Sequence, residues 1–136
     1  MKLNRNMKLI EEVKTILDAV EVVYSTPADN IITARFDQAN LVISTNDEKS
    51  VVELTAWCRV RLQDEKMAAG YKLMNELNSK YNQKFYIDSD GDLKLEFAID
   101  TDGGHFGREI LMPGIARLVN AAETGYEEMM KLRYGD

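Results

Sequence analysis

The sequence predicts a single α+β domain over residues 1–136, an antiparallel sheet with packed helices in the order α-β-β-β-α-β-β-α. Three observations predict it. Apolar residues recur at spacings of three and four in three segments, and at every second position in the segments between them. The links between alternating segments are short, which suits antiparallel neighbours because parallel ones need long crossovers. A chain of 136 residues that is 45% hydrophobic and 29% charged can bury a core without metal or disulfide staples.

Taken in order, residues 5–19 form the first predicted helix, with Ile10, Val13, Leu17 and Val20 on one stripe. Glu21 to Tyr24 is a candidate short edge strand, followed by a turn-rich break over residues 25–30. Three strands come next. Ile32, Ala34 and Phe36 alternate in the first, and Leu41 and Ile43 in the second. The third runs from Val51 to Val60, with Leu54, Ala56, Cys58 and Val60 on one face and Glu53, Thr55, Trp57 and Arg59 on the other. A helix over 64–81 follows, with Asp64 as N-cap and Met67, Tyr71, Met74, Leu77 and Tyr81 as its apolar stripe. Gly70 inside that helix points to a close approach by another element. Strands over 84–88 and 92–99 flank the hairpin signal Asp88-Ser89-Asp90-Gly91-Asp92. The last helix spans 113–133, with Pro113 in its first turn.

Several of these residues carry a resemblance. Met74-Asn75-Glu76-Leu77-Asn78, the strand Lys84-Phe85-Tyr86-Ile87-Asp88, the turn Ser89-Asp90-Gly91-Asp92, the strand Leu93-Lys94-Leu95-Glu96-Phe97, then Asp100 and Gly103-Gly104 resemble the core of the YbjN-like family. That family belongs to the wider type III secretion chaperone-like fold. The resemblance implies an antiparallel sheet with packed helices, a homodimer, a cytoplasmic location and a regulatory or chaperone role exercised by binding protein. It supplies no catalytic residue set. The polar loop from Asp100 to Gly107 and the several tyrosines depart from the leucine-rich pattern of secretion chaperones.

Composition excludes some classes of function. A net charge of −6 disfavours nucleic acid, whose phosphates repel an acidic surface. No apolar run approaches the ~20 residues of a membrane span, so no membrane partner is expected. Cys58 is the only cysteine, so no internal disulfide forms, as suits the cytoplasm. His105 is the only histidine, so no zinc-ligand cluster or nucleophilic triad is expected, beyond a remote Cys58–His105 pair. The two acidic turns lack the glycine and glutamate positions of an EF-hand, and turn chemistry accounts for them.

The expected function is therefore non-enzymatic, with no cofactor and no metal, and its ligand is a protein or extended peptide. Trp57, Arg59 and Tyr86 are candidate contact residues because alternation places these side chains among polar groups on one sheet face. Met130 joins them, lying one step off the apolar stripe of the last helix. A dedicated secretion chaperone is the alternative within that class. A small ligand-binding sensor, built around His105 and Gly103-Gly104, is the alternative outside it.

Overall fold

The alternating segments assemble into one antiparallel sheet, and the amphipathic ones cover a single face of it. The computed structural model describes residues 7–102 and 106–135. Helix α1 (Leu9–Ala19) precedes strands β1 (Ser25–Ala28), β2 (Ile31–Phe36), β3 (Ala39–Asn46) and β4 (Val51–Cys58). A 3₁₀ turn (Asp64–Lys66) leads into α2 (Met67–Lys80), followed by β5 (Lys84–Ile87), β6 (Leu93–Asp100) and α3 (Arg108–Tyr134). Strand order is β1-β2-β3-β4-β6-β5. The α+β class and the antiparallel sheet agree with the sequence reading, with one more strand than it contained.

That extra strand is a correction with a physical cause. Residues 21–24 form no strand, and the first two of them close α1. Glu21 takes φ 60° and its N–H donates to the Asp18 carbonyl at 3.2 Å, while the Val22 N–H reaches the Leu17 carbonyl at 3.0 Å. This is a Schellman cap with glutamate where glycine is usual. Pairing begins instead at Ser25-Thr26-Pro27-Ala28, read from sequence as a break. All four residues are exposed, so they show no alternation, and proline is tolerated on an edge strand whose free side needs no donor.

The helix boundaries also shift. Asp64 opens the 3₁₀ turn and makes no side-chain cap. In α2 the buried residues are Gly70, Met74 and Leu77, whereas Tyr71 is 54% exposed and faces solvent instead of the core. Gly70 causes the rotation: a Cβ there would stand 2.7 Å from both Ile87 Cδ1 and Leu62 Cδ2, so the helix packs through its glycine. α3 starts at Arg108 instead of Pro113, because Leu111, Ile115 and Leu118 form one buried stripe that runs straight through the proline. Pro113 is exposed, and its missing N–H removes the donor that the Glu109 carbonyl would otherwise have four residues on.

The core lies between the helices and the inward residues of the sheet, among them Ile32, Leu41, Ile43, Leu54, Ala56, Leu93, Leu95 and Phe85. At roughly 1.5–3 kcal/mol for each large side chain, this burial is the main force holding the layers together. A remote contact docks α1: Lys8 offers no side-chain cap, and the Leu9 N–H donates to Asp47 Oδ1 at 2.8 Å across 38 positions of chain.

The β5 edge is closed by a side chain. Asn78, at the end of α2, accepts the Phe85 N–H at 2.7 Å and donates to the Phe85 carbonyl at 3.0 Å, imitating a neighbouring strand. Asn78→Ala is expected to cost about 1–3 kcal/mol, since it leaves both backbone groups without a protein partner. A shift in the denaturant midpoint at constant slope checks this, and an unchanged midpoint would count against the clasp.

Candidate functional site

The outward residues of the sheet form the second face. Strand register aligns Arg35, Asn40, Trp57, Lys94 and Tyr86 in one row across β2, β3, β4, β6 and β5. The next row holds Thr33, Val42, Thr55, Glu96 and Lys84. None of these ten residues is buried, so this face is open to solvent.

At the Trp57 end of that face lies a cleft of about 720 Å³. Arg35, Gln38 and Asn40 from β2 to β3, and Trp57, Arg59 and Arg61 at and beyond the end of β4, line it. Tyr126, Met130, Arg133 and Tyr134 of α3 complete its lining among the described residues. A second groove, of about 550 Å³, is walled by Tyr24, Thr33 and Val42 among others, and shares Arg35, Asn40 and Trp57 with the cleft. Trp57 is thus the common wall of an arginine-lined cleft and a more apolar groove. Its indole Nε1 is buried and has no acceptor among the described residues.

Three of the four residues singled out from sequence meet here. Trp57, Arg59 and Met130 line the same cleft, and the Arg59 guanidinium lies 5.5 Å from the Trp57 ring centroid, within cation–π range. Tyr86 stands apart, on the far side of Lys94. Its hydroxyl donates to Glu96 Oε1 at 3.0 Å. Partial burial, then that bond, then the charges of Glu96 and Asp88 push its pKa up to about 12. Met130 is half-buried, while Met74 and Met129 fill the core.

Local structure fixes the arginines. β4 ends at Cys58, and the chain beyond it is held by Asp92, whose Oδ1 accepts the Val60 N–H at 2.7 Å and the Arg61 N–H at 2.8 Å. Arg61 takes φ 56°, a left-handed conformation that these bonds sustain. Arg133 donates to the Val60 carbonyl, and Lys66 Nζ donates to the carbonyls of Leu132 at 2.9 Å and Gly135 at 2.6 Å, capping the end of α3. Arg35 donates to Asn40 Oδ1 at 3.4 Å. Sequence reasoning missed Arg35, Arg61 and Arg133, because they come from separate segments and no spacing links them. The neighbouring Asp37 carboxyl, then desolvation, raises the pKa of Glu123.

The acidic turn is engaged in its own folding. Asp88, Asp90 and Asp92 bring carboxylate oxygens within 4.8 Å of one another. Yet Asp88 Oδ1 already accepts the N–H groups of Asp90 at 2.9 Å and Asp92 at 3.0 Å, and Lys94 lies 3.6 Å from its other oxygen. Cys58 is buried, and desolvation, followed by the charges of Asp92 and Glu123, lifts its pKa to about 11. At pH 8 only about one thiol in a thousand would then be ionised. A thiol reagent is expected to react with Cys58 at pH 8 only after denaturant is added, and rapid reaction of the native protein would contradict its burial. His105 and Gly103-Gly104, the centre of the sensor alternative, lie outside the described residues. No described helix is long and apolar enough to cross a membrane.

The family model for YbjN, "Putative bacterial sensory transduction regulator", matches residues 9–110. The chain belongs to the YbjN family. The YbjN match runs from α1 into the start of α3, so it includes Arg35, Trp57, Arg59 and Arg61 but not the α3 wall of the cleft. The structure of YbjN from E. coli is similar at TM-score 0.68 and 9% identity, covering 94% of this chain and 93% of that one. The ExsC-ExsE complex contains a chain similar at TM-score 0.69 and 15% identity, with 96% of this chain and 100% of that one covered. The HopA1-SchA chaperone-effector complex gives TM-score 0.64 at 11% identity, over 86% and 91% of the two chains. These likenesses establish the type III secretion chaperone-like fold. No curated protein matches the chain in sequence.

Proposed function

We propose that this YbjN-family protein is a non-enzymatic, cytoplasmic regulator, a single domain that acts by binding an extended segment of another protein across the open sheet face. The observation that carries the reading is Trp57, a half-exposed indole in the wall shared by two adjoining voids. A buried indole N–H without an acceptor costs about 1–3 kcal/mol, so packing alone gives little reason for tryptophan on this face. Aromatic anchors in half-buried settings are typical centres of protein interfaces. The edges of the sheet favour a face-on mode over strand addition: Asn78 occupies the β5 edge, and β1 is short and carries Pro27. The net charge of −6 argues against nucleic acid as the partner.

Self-association is part of the proposal. Tyr71 on α2 and Ile110 on α3, 54% and 40% exposed, are apolar surface available to a second copy. Sedimentation is expected to give a dimer at micromolar concentration, and a strict monomer would remove this part.

Peptides selected from a displayed random library on the immobilised protein test the binding function. Selected sequences should bind in solution and change the emission of Trp57, the chain's single tryptophan. Labelled peptides should lose about tenfold or more in affinity for Trp57→Ala. Failure to enrich any peptide, or undiminished binding by the variant, would overturn the reading. The narrower role of a dedicated secretion chaperone draws support from the likeness to the HopA1-SchA chaperone-effector complex. Co-purification with one large partner whose N-terminal segment is unfolded would favour it.

A further inference from the structure

Four of the chain's seven arginines, Arg35, Arg59, Arg61 and Arg133, line one cleft, which has no aspartate, glutamate or lysine among the described residues of its lining. The chain as a whole carries 23 acidic against 17 basic residues, so this is a local reversal of its charge. None of the four guanidinium groups is paired with a carboxylate among the described residues. Three of them are nevertheless positioned by uncharged partners: Arg133 by the Val60 carbonyl, Arg59 by the Trp57 ring and Arg35 by Asn40. Guanidinium groups held in place without counter-charges are a preformed receptor for carboxylates, which they grip through paired hydrogen bonds.

We propose that this cleft receives the acidic part of an extended peptide segment, with the residues beyond it lying in the apolar groove on the other side of Trp57. The inference rests on the binding reading above and adds the chemistry of the partner. Charge complementarity selects carboxylates. The adjoining groove, with Tyr24 and Val42 in its wall, selects a polypeptide over a free anion, because only a chain carries acidic and apolar groups in sequence. The net charge of −6 discriminates against a long uniform polyanion such as nucleic acid.

The probe is a labelled, end-capped peptide of about a dozen residues, long enough when extended to reach both voids, with an Asp/Glu-rich half and an apolar half. Its control has the carboxylates replaced by Asn and Gln. The acidic peptide is expected to bind at least about tenfold more tightly than the control and to weaken as salt rises. The variants Arg59→Gln and Arg61→Gln should each erase most of that difference, while Arg108→Gln, at the exposed start of α3, should leave it intact. Equal binding of both peptides, with Trp57→Ala weakening each, would overturn the acidic assignment and leave the binding reading standing. No binding of either peptide, together with failure of the library selection, would remove both. Displacement of the acidic peptide by an oligonucleotide or by inorganic phosphate at equal charge concentration would also overturn it, marking the cleft as a general anion site.

Discussion

Gly91→Ala is expected to destabilise the protein by about 3 kcal/mol or more, a large fraction of a typical domain's stability. Gly91 takes φ 78°, where an added Cβ costs about 1–2 kcal/mol from backbone sterics alone. The space is closed as well. A Cβ would collide with the Leu62 carbonyl oxygen and stand 2.8 Å from the Leu62 nitrogen, both backbone atoms that no rotamer change can move. Relief requires the 60–62 segment to retreat, which breaks the 2.8 Å bond from the Leu62 N–H to the Gly91 carbonyl. Denaturant unfolding measures the loss, and a change below about 1 kcal/mol would show that the two segments are less tightly apposed.

Asp92→Ala is expected to cost about 3–5 kcal/mol, by leaving two N–H groups without an acceptor in a site where Val60 is fully buried. The bonds lost are those that hold Arg61 at positive φ, so the arginine cleft should loosen with the fold. Asp92→Asn keeps an oxygen at the accepting position and should recover much of the loss. If alanine and asparagine proved equally damaging, the carboxylate's charge, and not its two hydrogen bonds, would be the feature that matters. Gly91 and Asp92 thus tie the hairpin to the segment that presents Arg59 and Arg61.

Much of this fold is legible in the sequence wherever burial is one-sided. The alternation of Leu54, Ala56 and Cys58, and of Leu93, Leu95 and Ile99, places β4 and β6 and assigns Trp57 to the outer face. The Asp-Gly turn signals the β5–β6 hairpin, although Gly91 also answers to Leu62, a contact that no local pattern reveals. β1 was illegible because all four of its residues are exposed, and the α1 cap because glutamate occupies a position usually given to glycine. Tyr71 misled because helical spacing alone does not say that a glycine forms the packing face. The site was legible in part. A lone tryptophan among polar neighbours marks the surface, while the clustering of Arg35, Arg59, Arg61 and Arg133 is a product of tertiary structure.

The mode of contact is most directly tested by amide hydrogen exchange of the protein with and without a selected peptide. Protection is predicted along β2, β3 and residues 57–61, beside the cleft and the groove, with α1 unchanged. Protection confined to the backbone of β1 or β5, or to the Tyr71 side of α2, would place the partner on a sheet edge or on the helical layer and contradict binding across the open face.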